Sequence, residues 1–142
     1  MIRTALLFLL VFLLSCAPGA AKDTPNRTIP CKTPANMNSC YWTRGRLRVG
    51  NGTPSYRLWK IGTHRLLGIY SGPSVDRFGL DSEGPEFPAN VESAFGQSKM
   101  DSPYDIWIFA DFEVCPLEPE KPGHMQAACI ETAKNLFVEK DK

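Results

Sequence analysis

The sequence predicts a small all-β domain with minor α content, five strands closed into a barrel or folded as a β-sandwich and stapled by disulfides. Three observations predict it. Short segments of alternating apolar and polar residues recur between glycine- and proline-bearing turns. One short helical candidate separates the third strand from the fourth. Four cysteines, Cys31, Cys40, Cys115 and Cys129, fall in the body of a chain too short for a large core.

Residues 1–21 read as a secretory signal peptide. Arg3 precedes an unbroken apolar run, Ala5 to Leu14, which is too short to span a bilayer and is followed by small residues. Two cleavage readings compete. Leu13-Leu14-Ser15-Cys16 has the form of a bacterial lipobox, which would leave Cys16 as a lipid-bearing N-terminus; the alternative is cleavage after Ala21. The lipobox is preferred, and each buried methylene of the lipid would add about 0.8 kcal/mol of membrane affinity. Residues 22–37 are polar and contain prolines, and read as a flexible tether. Residues 38–142 form a single β-rich domain.

The first strand spans Tyr41 to Val49, where Leu47 and Val49 alternate with Arg46 and Arg48; Trp42 and Arg44 share the arginine face. Gly50-Asn51-Gly52 marks a turn. Ser55 to Ile61 is the second strand, with Tyr56 and Leu58 on one face and Arg57, Trp59 and Ile61 on the other. Gly62-Thr63 leads to a third strand, His64 to Tyr70. Ser71 to Pro88 is an acidic, glycine- and proline-rich loop, and Ala89 to Phe95 a short helix with Val91 and Phe95 on one side. Asp105 to Val114 is the fourth strand, with Ile106, Ile108, Ala110, Phe112 and Val114 on one face. Met125 to Val138 is the last element, strand-like at first, with strand and helical turn both open for Thr132 to Phe137.

Antiparallel pairing of the last two strands with Cys115 opposite Cys129 sets Val114 against Ile130 and Phe112 against Thr132, so the apolar faces agree. Opposed residues in such a ladder have Cα atoms roughly 4.5–5.5 Å apart, which suits a disulfide. The expected bridges are therefore Cys115–Cys129 and, by the same logic, Cys31–Cys40. The register has one cost: Glu113 faces Glu131, which a bulge or a nearby cation would relieve. A zinc site of Cys115, Cys129 and His124 is disfavoured because the cysteines lack the close spacing of metal-ligand pairs.

The formal net charge is +1, but the charges are segregated. Arg44, Arg46, Arg48, Arg57, Lys60 and Arg65 lie between positions 41 and 65 with no acidic residue among them. Most carboxylates follow between 72 and 120. The ligand-binding candidate is a basic-aromatic surface of Trp42, Arg44, Arg46, Arg48, Tyr56, Arg57, Trp59, Lys60 and Arg65, with His64 beside it; cations beside aromatic planes suit anionic or ring-bearing ligands. The plainer reading is a solvated strand face whose arginines lie across indoles and pair with the acidic loop. Asp76, Asp81, Glu83 and Glu86 lack the spacing of a calcium loop. Catalysis has little support. His64 and His124 sit in no H-E-x-x-H context and there is no G-x-S-x-G. Asp105 and Asp111 fall about 20 Å apart along one strand, too far to act on one bond. Two N-x-T sequons, at Asn26 and Asn51, matter only in a glycosylating pathway.

Three meander strands, a loop with a short helix and two further strands give an element order that resembles small exported bacterial OB-fold proteins across 41–138. GRLRVGNGTPSYRLWKIGTHRLLGIY and DFEVCP also resemble uncharacterised secreted bacterial proteins. The resemblance implies ligand binding on the second- and third-strand face. The expectation is an exported, lipid-anchored, non-catalytic binding module of the cell envelope, periplasmic or secreted. Anionic glycans, lipid headgroups or envelope proteins are its partners; nucleic acid is disfavoured by the compartment, and no cofactor or metal is expected. The alternative is a structural or protein-interaction lipoprotein without a small ligand, and after it a small extracytoplasmic enzyme.

Overall fold

A computed structural model describes residues 27–76, 81, 83–96 and 102–140. The expected signal segment, Cys16, the sequon at Asn26 and tether residues 22–26 lie outside the described residues. The strands are β1 (Tyr41–Val49), β2 (Tyr56–Lys60), β3 (Leu66–Ile69), β4 (Ile106–Pro116) and β5 (Gln126–Lys140), with one helix, α1 (Ala89–Gly96), between β3 and β4. All of β5 is strand, so the helical alternative for Thr132 to Phe137 falls away.

The five strands close into a barrel in the order β1-β2-β3-β5-β4, with β4 returning to β1. Closure needs one parallel contact, Leu67, Gly68 and Ile69 against Gln126, Ala127 and Ala128. The other neighbours are antiparallel. This is the OB-like arrangement, and it excludes the sandwich. The long acidic loop does not prevent closure because it folds back on itself: the Ser71 backbone N–H and hydroxyl both donate to Asp81, and the Glu86 N–H donates to the Ser71 oxygen at 2.8 Å.

The alternation in each strand is the cause of the core. Leu47, Leu58, Leu67, Ile69, Ile106, Ile108, Ala110, Phe112, Val114 and Ile130 all point inward and are buried. At one end α1 covers the barrel with Val91 and Ala94. Each large apolar side chain taken out of water here contributes roughly 1.5–3 kcal/mol.

The β4–β5 register is as expected at Cys115 opposite Cys129 and Val114 opposite Ile130, and then slips. Phe112 faces Ala133 and Glu113 faces Thr132, so Glu131 occupies a bulge and the two glutamates are not opposed. Lys32 completes the relief: its Nζ lies 2.5 Å from Glu113 Oε1, and its backbone N–H donates to Glu131 at 3.0 Å. A second irregularity falls at Asn135, whose φ is 50°. Asparagine tolerates this left-handed conformation because its short amide bonds locally; here Nδ2 donates to Asp111 at 2.7 Å.

The disulfide pairing differs from expectation. Cys31 bonds to Cys129 and Cys40 to Cys115. Sequence proximity favoured the local pairs, but residues 27–40 cross back over β4 and β5, so each ladder cysteine meets a cysteine of the crossing segment instead. Cys31, Cys115 and Cys129 are fully buried in a second small core with Cys40 and Leu117. The stretch read as tether is thus packed from residue 27 onward. The Arg27 guanidinium donates to the carbonyls of Glu86 and Ile130 at 2.8 and 2.9 Å. Its desolvation lowers its pKa, opposed by nearby Glu131 and Glu86. The Glu86 carboxylate accepts from the Thr28 hydroxyl at 2.5 Å and from the N–H groups of Thr28 and Ile29 at 2.7 and 2.8 Å. Gly72 allows this docking: a Cβ there would lie 2.3 Å from the Pro30 carbonyl oxygen.

Two outcomes test this docking. Peptide mapping under non-reducing conditions is expected to recover Cys31–Cys129 and Cys40–Cys115; recovery of Cys31–Cys40 would refute the crossing segment. With Cys40–Cys115 intact, the loop closed by the other bridge is only roughly two dozen residues, so replacing Cys31 and Cys129 together by serine should cost about 3 kcal/mol in urea unfolding. The second outcome concerns pH. The hydroxyl of Thr28, then the Ile29 amide, hold the Glu86 carboxyl below its ordinary range. A depressed folded pKa adds stability above the unfolded value of about 4.3, which is lost as pH falls through the folded value. Glu86→Gln should therefore unfold at lower urea than the wild type at pH 7, with the gap narrowing below about pH 4. An equal gap at pH 7 and pH 3 would count against the ionised role.

Candidate binding face

The outward residues of β1 are Trp42, Arg44, Arg46 and Arg48, and they acquire neighbours on both edges. Across β1–β2, Arg46 opposes Trp59 and Arg48 opposes Arg57. Across β1–β4, Arg48 opposes Trp107, Arg46 opposes Phe109 and Arg44 opposes Asp111. Trp59 in turn opposes Leu66 on β3. Four strands thereby contribute to one continuous outer surface.

The Arg46 guanidinium lies between two indoles, 3.7 Å from the Trp107 ring centre and 4.8 Å from that of Trp59. Arg48 lies 5.9 Å from the same Trp107 ring. Trp59 is fixed by its own Nε1–H, which donates to the Thr63 carbonyl of the β2–β3 turn at 2.7 Å. Arg57 holds the preceding turn: Nε donates to the Pro54 carbonyl at 3.2 Å and Nη2 to that of Asn51 at 2.5 Å. Gly50 sits under both remaining guanidinium groups, since a Cβ there would lie 3.5 Å from Arg57 Nη1 and 3.9 Å from Arg48 Nη2.

These side chains line an open cleft of about 590 Å³, completed by Thr63, His64 and Leu66. Among the described residues that line it, three of seven are arginines and none is acidic. Two like charges about 7 Å apart repel by roughly 0.6 kcal/mol in water and by more in a partly desolvated cleft. An anion seated between them exchanges that repulsion for attraction and for charge-assisted hydrogen bonds.

The sequence-predicted residues divide into three groups. Arg46, Arg48, Arg57 and Trp59 meet in the cleft. Trp42 and Arg44 share the face but lie further along it. Lys134 Nζ sits 4.2 Å from the Trp42 ring centre, while Arg44 donates to Asp111 at 3.3 Å and to the Asn135 carbonyl at 3.2 Å. The remaining three belong elsewhere. Tyr56 shares the inward parity of Leu58 and packs edge-on against Phe87 and Phe95 at the core margin. Burial raises its phenol pKa. Lys60 has the same parity and lies over the Tyr41 ring at 4.6 Å. Arg65 pairs with Glu120 at 2.7 Å beyond the β2–β3 turn. Sequence reasoning missed Trp107, and with it the stacked pair Phe109 and Phe137 whose centres are 4.8 Å apart. The outward parity of Trp107 and Phe109 on β4 was visible; their place beside Arg46 was not, because it depends on which strand β4 joins.

The acidic loop does not neutralise this cleft through Asp81 or Glu86, which are engaged by Ser71 and by residues 28 and 29. Among the described residues no group of three or more His, Cys, Asp or Glu side chains is placed to hold a metal ion, and Cys115 and Cys129 are consumed as disulfides. Asp111 is tied to Asn135 and Arg44, which hold its carboxyl below the ordinary range.

The two arginines of β1 should respond differently to truncation. Arg46→Ala removes a guanidinium held between two rings and is expected to cost about 1–2 kcal/mol in urea unfolding; Arg48→Ala, exposed, should stay within about 0.5 kcal/mol. Equal losses would deny the indole contacts a structural role.

No family model, curated protein or solved structure matches this chain. Its fold is therefore read from its own strand pairing, and its chemistry from the cleft.

Proposed function

We propose that this chain is an exported binding module that captures an anionic ligand in the Arg46–Arg48–Arg57 cleft and performs no catalysis on it. One observation carries the reading: three guanidinium groups and an indole converge on an open cleft whose lining, among the described residues, has no carboxylate. Arg46 and Arg57 are held by ring and carbonyl contacts, so their charges are positioned before the ligand arrives, which lowers the entropy cost of binding. The two buried disulfides agree with an oxidising, extracytoplasmic compartment. Within that compartment we place the chain at the envelope, held by lipid on Cys16, on the strength of the apolar run and the lipobox-like Leu13–Cys16.

A second reading is a structural or protein-interaction lipoprotein. It is favoured by the outer face beyond the cleft, where Trp42 and Phe137 are exposed beside Arg44.

The mature chain is to be titrated with polygalacturonate, phosphatidylglycerol vesicles and oligothymidylate, following tryptophan fluorescence. At least one anion is expected to shift the emission, with affinity falling as salt rises through the physiological range. Arg48→Gln should weaken it by about tenfold, the value of one charge-assisted hydrogen bond. No response to any of the three would sink the binding reading. Intact mass of the membrane-fraction protein tests the anchor: a diacylated chain beginning at Cys16 is expected, and an unmodified chain beginning near Lys22 would remove it.

A further inference from the structure

The cleft does not end at the β2–β3 turn. A second cleft of about 370 Å³ adjoins it, and His64 and Leu66 line both. The second cleft is walled by Arg65 and by His124 from the β4–β5 connection. Among the described residues its lining also lacks a carboxylate, although Glu120 reaches Arg65 at 2.7 Å from an exposed position at the rim. The first cleft already follows β2 from Arg57 to Trp59, two residue rises or about 7 Å, and continues into the turn at Thr63. Together the two form a bent groove, with cationic or imidazole groups at both ends and in the middle.

The indole that lines this groove, Trp59, is not a free platform: the Arg46 guanidinium lies over it, 4.8 Å from the ring centre, as it does over the neighbouring Trp107 at 3.7 Å. Proteins that hold single-stranded nucleic acid stack bases on open aromatic faces. Here the Trp59 ring already carries a guanidinium, and what the groove offers a ligand is N–H donors and positive charge spaced along its length. Recognition by spaced charge without stacking suits a polymer whose anionic groups sit on a non-aromatic backbone.

We infer that the groove binds an extended anionic polysaccharide across both clefts, with Arg48 and Arg57 seating one anionic group and Arg65 and His124 another further along. This rests on the binding role proposed above and adds the ligand's class and length. Glu120 is then a rim partner that Arg65 exchanges for a ligand carboxylate or sulfate.

Calorimetry of the full mature chain with tri- and decagalacturonate, and with oligothymidylate matched in charge to the decamer, tests it. Decagalacturonate is expected to bind at least tenfold tighter than the trimer after correction for the number of overlapping registers, and more tightly than oligothymidylate. His124→Gln combined with Arg65→Gln, and His124→Gln alone to a lesser extent, should abolish the length advantage while leaving trimer affinity within twofold. Circular dichroism checks that the variants are folded. Equal corrected affinities for the two lengths, or a length advantage untouched by the double variant, would overturn the second subsite while leaving the arginine cleft in place. Tighter oligothymidylate binding would overturn the polysaccharide assignment. Failure of every galacturonate and of oligothymidylate to bind would overturn this inference and, with silent phosphatidylglycerol vesicles, the binding role as well.

Discussion

Strand β1 is hydrogen-bonded along both edges, to β2 and to β4, and the candidate site depends on that one fact. A strand on the edge of an open sheet would bring Arg46 next to Trp59 alone. The β1–β4 ladder occupies the other edge and sets Trp107 beside the same guanidinium. The ring of strands is closed on its far side by a parallel contact of only three residue pairs between β3 and β5. So short a ladder needs support. The core supplies it from inside, and the crossing segment 27–40, bonded to β5 and β4 through Cys129 and Cys115, supplies it from outside.

The arginines of the outer face are not equivalent, although they alternate evenly in sequence. Arg44 is spent on Asp111 and on the Asn135 carbonyl. Arg46 packs as a planar group between rings, where an ammonium in its place would lose the stacking. Arg57 staples the turn that carries Gly50. Arg48 is exposed, with a ring at 5.9 Å, and it has the most freedom to reorient toward a ligand. A cleft built this way combines two pre-positioned charges with one adaptable one. Stability and binding are therefore carried by different members of a set that the strand pattern makes look uniform.

Much of this was legible in the residues. The alternation of Ile106, Ile108, Ala110, Phe112 and Val114 defines a buried face directly, because a period of two admits one choice of inside. The same logic placed Tyr56 with Leu58, and the inclusion of Tyr56 and Lys60 in a surface site overrode a parity that the strand enforces. What the residues could not convey was non-local. Trp107 is an outward position on β4 by pattern, but its neighbour is fixed by topology. The disulfides follow the path of residues 27–40, which have no periodic signal because their contacts are backbone bonds to Glu86 and Glu131 and not an apolar stripe. The slip at Glu131 follows from Lys32, a residue some hundred positions away in sequence, holding both glutamates.

The charge distribution gives these details their functional sense. A formal charge of +1 describes a molecule with no preference for either sign of ligand. Yet several carboxylates are individually engaged, Glu120 by Arg65 at the rim of the groove and five others by partners of their own. Asp81 holds Ser71, Glu86 holds Thr28 and Ile29, Glu113 and Glu131 hold Lys32, and Asp111 holds Arg44. Each such bond fixes an acid at a place set by the fold. At physiological ionic strength an exposed charge is felt over only about 8 Å. Acids pinned beyond that distance contribute to the net charge and little to the field in the cleft. The docking of the N-terminal segment, which looks like a matter of stability alone, thus also fixes the charges of Glu86, Glu113 and Glu131 on that segment.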